Sequence, residues 1–218
     1  MRTTFFGDSL TAGECNDSRS FAKFYAEGDA TIQKGILAIS GTTIGEYSVY
    51  PVDGNSFLSV LYRNKDVVEN SDVIVIEYGI NDASSLFLGN VTLSQIVVAV
   101  AKALDYIKQV NPNAKVYWLK PIQDRALIEE FAKYHVKYLF EDYLTGFRKA
   151  DDNTALRWAD DYEKIYHCIS RQTRLIAGIS EIPTLKDLFA SDNIHFNDEG
   201  HKKLARVLEE EILHSEGN

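Results

Sequence analysis

Cysteines are scarce in this 218-residue chain, and long apolar runs are missing from it. Cys15 and Cys168 are too few for the disulfide framework of a small secreted domain; they could form one bridge, but two free thiols are the simpler expectation. No apolar run is long enough to span a bilayer, and no secretory signal precedes the first predicted strand. We therefore expect a cytoplasmic protein without membrane insertion.

Basic charge is also in short supply. Lys and Arg together number 23 against 32 Asp and Glu, which gives a formal net charge of −9. This balance argues against nucleic acid or an anionic membrane surface as the main partner. No set of His, Cys, Asp and Glu residues has the spacing of metal ligands, so we expect neither a metal nor another cofactor.

Short apolar segments of two kinds alternate along the chain. Continuous β-branched runs predict strands that are buried on both faces, as in parallel sheets, at 3–6, 35–39, 72–78, 115–119 and, more weakly, 183–188. Between them, residues 93–107 carry a helical apolar stripe with Thr92 and Gln95 as a capping-box pair. A last helix begins near Asn197 or Asp198. The alternation predicts an α/β fold, a three-layer α/β/α sandwich with a mostly parallel five-stranded sheet.

One domain over residues 1–218 is the simplest organisation, because the chain has no internal repeat and no Pro- or Ser-rich linker. The stretch around 122–166 is longer than a crossover helix of roughly 10–15 residues requires. It is also rich in aromatic residues. These could form the core stripe of two packed helices, or a helical cap over an active site that shapes the acyl or alcohol pocket.

Four polar segments follow the predicted strands or precede the last helix. They read Gly-Asp-Ser-Leu at 7–10, Ser-Gly-Thr-Thr at 40–43, Gly-Ile-Asn-Asp at 79–82 and Asp-Asn-Ile-His at 192–195. In open parallel sheets, ligands bind beyond the carboxyl ends of the strands. The fold is therefore expected to bring all four segments to one rim.

Together the four segments contain the groups that acyl transfer requires. Ser9 is the candidate nucleophile, and His195 would accept its proton and return it to the leaving alcohol. Asp192 lies three residues before His195, a spacing that lets its carboxylate reach Nδ1 of the imidazole and fix its tautomer. The backbone N–H groups of Ser9 and Gly41 and the side-chain amide of Asn81 are candidate oxyanion donors.

These blocks resemble those of the SGNH hydrolases, also called the GDSL esterase/lipase family. Residues 7–10 are similar to the block that carries the family's serine, residues 40–43 to the block with its glycine, residues 79–82 to the block with its asparagine, and residues 192–195 to the block with its aspartate and histidine. The resemblance covers nearly the whole chain and implies a flavodoxin-like fold. The family includes lipases, lysophospholipases, thioesterases and carbohydrate O-acetylesterases. The long 122–166 stretch departs from its compact members.

Other polar residues near these segments are expected to have structural roles. Asp8 and Asp82 are predicted to hold loops through side-chain-to-backbone hydrogen bonds. Glu77 is predicted to be a buried partner of a loop amide, and His201 a surface residue of the last helix.

The sequence thus predicts a serine esterase that cleaves carboxylic esters through an acyl-enzyme. Short acyl groups are favoured, such as O-acetyl esters on carbohydrate, and the substrate would be a small molecule or carbohydrate-borne. A lipase, lysophospholipase or thioesterase acting on longer chains is the nearest alternative. A non-catalytic binding module on the same fold is the alternative of another class.

Overall fold

A parallel sheet of five strands forms the centre of the computed structural model, which describes residues 1–47, 56–122, 152–179, 187–190 and 195–213. The strands are β1 (Arg2–Gly7), β2 (Gln33–Ala38), β3 (Val73–Glu77), β4 (Lys115–Ile122) and β5 (Arg174–Ile179). Their order across the sheet is β2-β1-β3-β4-β5, and every neighbouring pair is parallel. The predicted parallel, five-stranded sheet is confirmed.

Helices cover both faces of the sheet, as the three-layer prediction requires. The helices are α1 (Ser9–Ala12), α2 (Phe21–Phe24), α3 (Phe57–Arg63), α4 (Lys65–Glu69), α5 (Ile80–Phe87), α6 (Leu93–Val110), α7 (Asp152–Ser170) and α8 (Asp198–Ile212). Helices α2 and α8 pack together in one layer, where α8 also contacts β5. In the other layer, α6 contacts α3, α4 and α7. In the described ranges, no helix combines the length and apolar character needed to cross a bilayer.

The core is built on the apolar strands and a group of aromatic rings. Strand β3 is buried along its whole length. Beside it, Phe57 stacks on Tyr78 with ring centroids 4.9 Å apart and meets Trp118 edge-on at 6.0 Å. Burying a large apolar side chain contributes about 1.5–3 kcal/mol, so this group anchors α3 to the middle of the sheet.

Both predicted helix starts are present. The Thr92 hydroxyl accepts the Gln95 N–H while the Gln95 side chain accepts the Thr92 N–H, which completes the capping box of α6. Helix α8 has Asn197 as its N-cap, with Oδ1 accepting the Gly200 N–H at 3.0 Å. Capping of this kind satisfies amides that have no partner inside the helix.

The position predicted for the fifth strand is wrong. The strand that pairs with β4 is Arg174–Ile179, whereas Asp187 and Leu188, the described residues of the predicted 183–188 run, lie in a 3₁₀ turn. Gly178 interrupts the apolar pattern of the true strand. A Cβ at this position would lie 2.3 Å from the Pro121 carbonyl oxygen, so close approach of the β4 backbone requires glycine there.

Part of the aromatic-rich stretch is described as helix α7, and residues 123–151 lie outside the described residues. Along α7, Trp158, Tyr162 and Tyr166 are buried on one stripe, and the rings of Trp158 and Tyr162 stack with centroids 5.3 Å apart. These three side chains belong to the core, as the first of the two interpretations of this stretch proposes.

Candidate active site

Ser9 lies in a tight turn between β1 and α1. The Asp8 carboxylate caps α1 by accepting the Leu10 N–H at 3.1 Å, which places Ser9 at the first helical position. Gly7 makes this turn possible, because a Cβ there would lie 1.9 Å from Thr11 Oγ1. The chain therefore turns sharply at the carboxyl end of β1, with 8% of Ser9 exposed at the rim of the sheet.

His195 meets Ser9 across this rim. Its Nε2 lies 2.8 Å from Ser9 Oγ, although 186 residues separate the two in sequence. The position of His195 is fixed by its own carbonyl, which accepts the Ala190 N–H at 2.8 Å, and by a β-bridge between Phe189 and Phe196. With Nε2 unprotonated, the Ser9 hydroxyl donates to it, which is the geometry of a serine activated by a base.

The Nδ1 side of the His195 ring faces a thiol that the sequence did not single out. Cys15 Sγ lies 3.8 Å from His195 Nδ1, and neither Cys15 nor Cys168 forms a disulfide. Asp192, the predicted orienting carboxylate, lies outside the described residues. Its contact with His195 stays a prediction.

The segment after β2 approaches Ser9 from a neighbouring strand. Gly41 has φ of +75°, in the left-handed region that favours glycine. The Ser40 hydroxyl donates to the Glu14 carboxylate, which links this segment to the loop that follows α1. Gly41 thus allows the turn that brings the 40–43 segment to the rim.

Asn81 joins three of the predicted segments. Its Nδ2 donates to Asp8 Oδ2 at 3.1 Å and to the Thr42 carbonyl at 2.9 Å. An amide nitrogen carries two hydrogens, so both are used by these contacts. Asn81 holds the loops together in this structure, and to donate to an oxyanion it must exchange one of these partners.

The turn before Asn81 is supported from α7. The Tyr78 carbonyl accepts from Trp118 Nε1 and from the Tyr166 hydroxyl, each at 3.0 Å. Gly79 has φ of +138°, and a Cβ there would lie 2.8 Å from the Tyr166 oxygen. The aromatic-rich stretch therefore contributes directly to the position of the asparagine loop.

Asp82 holds the segment around residue 44, as predicted. Its carboxylate accepts the Ile44 N–H at 3.0 and 3.2 Å and the Tyr47 hydroxyl at 2.6 Å. Burial raises the pKa of Asp82 to about 7, while these donors act in the opposite direction. Burial and the Asp82 charge together raise the pKa of Tyr47.

Asp8 and Glu77 form a second group of buried carboxyls. Both are almost fully inaccessible, and Glu77 Oε2 accepts the Thr11 hydroxyl at 3.0 Å. Burial raises the pKa of Glu77 to about 7 and that of Asp8 well above its ordinary value, with the neighbouring Glu77 charge adding to the shift of Asp8. Glu77 is buried, as the sequence predicted.

The prediction that His201 lies on the surface is wrong. Its side chain is fully buried between the rings of Phe21 and Phe196, and its Nδ1 accepts the Phe21 N–H at 3.2 Å. Burial lowers the pKa of His201 to about 4. The signal was present, because His201 continues the buried stripe of α8 formed by Leu204 and Leu208.

Across the described ranges, no group of three or more His, Cys, Asp or Glu side chains is arranged to hold a metal ion. The site as described contains one hydroxyl–imidazole pair, several backbone and amide donors, and buried carboxyls beneath them.

Comparisons with known proteins place this geometry in context. A family model described as the GDSL-like Lipase/Acylhydrolase family matches residues 5–203. Comparison with curated proteins gave no significant match.

Solved structures share the fold. A protein from Lactobacillus plantarum is 22% identical with a TM-score of 0.63, over 98% of this chain and 96% of that one. The lipase Lip_vut3 from a goat rumen metagenome is 16% identical with a TM-score of 0.61, over 95% of each chain. An acetyl xylan esterase from Butyrivibrio proteoclasticus is 15% identical with a TM-score of 0.58, over 99% of this chain and 64% of that one. At these identities the similarity establishes the fold.

Proposed function

The chain belongs to the GDSL-like Lipase/Acylhydrolase family and is therefore a hydrolase of ester bonds, and from that premise we propose that it is a serine esterase acting through an acyl-enzyme. Ser9 attacks the ester carbonyl, and His195 takes its proton and delivers it to the leaving alcohol. Asp192 orients the imidazole. Water then releases the acyl group by the same route.

One contact carries this proposal, the 2.8 Å separation between His195 Nε2 and Ser9 Oγ. A hydroxyl is a weak nucleophile until a base accepts its proton, and this geometry supplies the base. The site lies at the carboxyl edge of a parallel sheet, where such folds bind their ligands.

The oxyanion of the tetrahedral intermediate is assigned to three donors. They are the N–H groups of Ser9 and Gly41 and the amide of Asn81. Asn81 Nδ2 donates to the carbonyl of Thr42 and the carboxyl of Asp8, so it gives up one of these acceptors when it donates to the oxyanion. Removing one such donor typically costs about 2.7–4 kcal/mol of transition-state stabilisation.

We assign short acyl groups to the substrate, such as O-acetyl esters on carbohydrate. The net charge of −9 suits a polar, water-soluble substrate better than an anionic lipid surface. Within the described ranges, the markedly exposed large hydrophobic side chains are Met1, Tyr62 and Val98, which are few for a lipid-binding surface.

A longer acyl chain is the second candidate, because one cavity favours it. A space of about 520 Å³ lies between α3 and α6 and is lined in part by Leu58, Tyr62 and Val98. Tyr47 contributes another wall, and its hydroxyl bonds to Asp82, the residue after Asn81. A lipase, lysophospholipase or thioesterase could use such a space for an aliphatic chain.

Two measurements test the proposal. A fluorophosphonate probe is expected to label the wild type and Ser18→Ala, which alters an exposed serine of the loop that follows α1, but not Ser9→Ala. A series of p-nitrophenyl esters of increasing chain length, run beside an acetylated xylan, is expected to show the highest kcat/KM for acetyl groups. Rates that rise with chain length would favour the second candidate. A folded protein that neither reacts with the probe nor hydrolyses any ester would be a binding module.

A further inference from the structure

Asp8 and Glu77 lie side by side beneath the nucleophile turn. Gly7, the residue before Asp8, pairs with Glu77 in the register of β1 and β3, so the two carboxyls project from adjacent strand ends. They are within hydrogen-bonding reach of each other, and both are buried. A hydrogen bond between two carboxyl groups requires a proton on one of them.

The other partners of the pair show where that proton resides. Glu77 Oε2 receives the Thr11 hydroxyl, and the backbone N–H groups of Thr11 and Asp8 also favour the charged form of the Glu77 carboxyl. Asp8 accepts from the Leu10 N–H and from Asn81 Nδ2. Asp8 therefore stands between Glu77 on one side and the candidate oxyanion donor on the other.

Among the residues that the structure describes, the other titratable groups reported to act on the pair do not neutralise it. His195 is the basic side chain whose charge acts on Asp8. Tyr78, Tyr162 and Tyr166 also face the pair, and burial raises the pKa of all three, so they stay neutral. Two adjacent negative charges in this buried space are strongly unfavourable, and the pair keeps one proton.

We infer that Glu77 is a positioning residue for the proposed ester hydrolysis: it accepts the proton of Asp8, keeps that carboxyl neutral and so leaves the Asn81 amide able to turn to the oxyanion. Hydrogen bonds to a charged acceptor are roughly twice as strong as neutral ones, so an ionised Asp8 would hold Asn81 more firmly. An ionised Asp8 would also place negative charge close to the developing oxyanion. With the charge on Glu77, both effects are reduced.

The pKa shifts are in the same direction as this inference. Burial raises the pKa of Glu77 to about 7, whereas that of Asp8 is raised well above its ordinary value by burial and then by the Glu77 charge. Both shifts favour a pair that retains one proton, and the donors on Glu77 favour placing that proton on Asp8.

Glu77→Gln tests the inference through the pH dependence of turnover. Without the Glu77 charge, and with a new amide donor beside it, Asp8 accepts several N–H groups and its pKa falls. The kcat for p-nitrophenyl acetate at pH 8 is expected to drop roughly tenfold, a fraction of the effect of losing an oxyanion donor, with KM little changed. The ratio of variant to wild-type kcat should decline from pH 6 to pH 9.

Two further variants make the kinetic test specific. Glu69→Gln is the matched control, since Glu69 forms an exposed ion pair with Lys65 on α4, and its ratio should stay near one at every pH. Thr11→Val removes the hydroxyl that stabilises the Glu77 charge and should give a smaller decline of the same sign. A Glu77→Gln ratio that is independent of pH in a folded protein would overturn the inference.

Infrared spectroscopy detects the proton shared by Asp8 and Glu77 without requiring catalytic turnover. The wild type at pH 8, where Asp82 is largely ionised, should show the C=O stretch of a protonated carboxylic acid, and Glu77→Gln and Asp8→Asn should both lack it. A wild-type spectrum without that band would overturn the inference.

The inference rests on the proposed function, but failure of the two is distinguishable. Absence of ester hydrolysis contradicts the proposed function, and this spectrum still decides whether Glu77 keeps Asp8 protonated.

Discussion

Two histidines near the carboxyl end of the chain, six positions apart, differ in almost everything except burial. His195 is 5% exposed and presents Nε2 to the Ser9 hydroxyl. His201 is fully buried, accepts a backbone N–H through Nδ1, and has no partner for Nε2 within the described ranges. One ring lies at the rim of the sheet, and the other lies between the aromatic rings that join α8 to α2.

The difference shows that burial does not by itself distinguish a functional histidine from a structural one. What differs is the partner. A hydroxyl at the rim can exchange its proton with the ring and react, whereas a helix-terminal N–H only needs an acceptor. His201 provides that acceptor in its neutral form, and burial lowers its pKa to about 4, so it stays neutral across the physiological range.

The largest expected effect separates the two rings by activity. His195→Ala should lower kcat/KM by about 10,000-fold or more, because the base of the proposed mechanism is lost, while His201→Leu should keep kcat/KM close to the wild-type value at pH 8. Ester hydrolysis by purified, folded variants measures both. Comparable losses in the two variants would remove the distinction.

The second prediction separates them by acid stability. The folded pKa of His201, about 4, lies below the reference of about 6.5 for the unfolded chain, so the unfolded state binds the extra proton as pH falls between these values. This ring should therefore reduce the free energy of unfolding by roughly 3 kcal/mol between pH 7 and pH 4. His201→Leu should lack that component.

Urea unfolding at several pH values provides the measurement, read as the difference between the wild type and each variant because buried carboxyls with raised pKa values act in the opposite direction. The control is His167→Leu, which replaces an exposed histidine of α7 and should leave the pH dependence unchanged. A wild-type pH dependence retained in His201→Leu would assign the acid sensitivity to other groups.

The smallest effect is expected at Asn197, which lies between the two histidines. Its Oδ1 caps α8, and its Nδ2 donates to the carbonyls of Asp187 at 2.7 Å and Phe189 at 3.1 Å. Asn197→Ala should lower the free energy of unfolding by about 1–2 kcal/mol. Asn197→Asp keeps the Oδ1 cap but loses the two bonds donated by Nδ2. Its free energy of unfolding, measured in urea beside that of Asn197→Ala, should therefore show whether the cap or the donated bonds stabilise the segment around His195. Equal stability of wild type and Asn197→Ala would show that neither does.

Much of the fold could be predicted from local patterns. Four strands and the start of α6 follow from continuous apolar runs and a capping box, which are signals within a few residues. The fifth strand is misplaced by the sequence pattern because Gly178 and its polar neighbours weaken the apolar signal. Residue 178 has to be glycine because it lies against the backbone of β4, more than 50 residues earlier in the chain. His201 was misassigned although its spacing from Leu204 and Leu208 fits the buried stripe.

The site was predictable in its members but not in its contacts. The sequence brought Ser9 and His195 together as a candidate pair, and the structure places them in hydrogen-bonding distance. It did not indicate that Cys15 approaches the other side of the His195 ring. Nor did it indicate that the Asn81 amide is already occupied.

The amino-acid sequence alone determined the family, the strand–helix alternation and the identity of the polar residues at the strand ends, since these depend on motifs and on periods of two or 3.6 residues. The tertiary structure decided which groups share a proton or a donor: Ser9 with His195, Thr11 with Glu77, and Asp8 with both Glu77 and Asn81. These partners are separated by 66 to 186 residues. Hydrogen bonds and charge interactions act over a few ångströms in space, and only the folded sheet brings such distant residues that close.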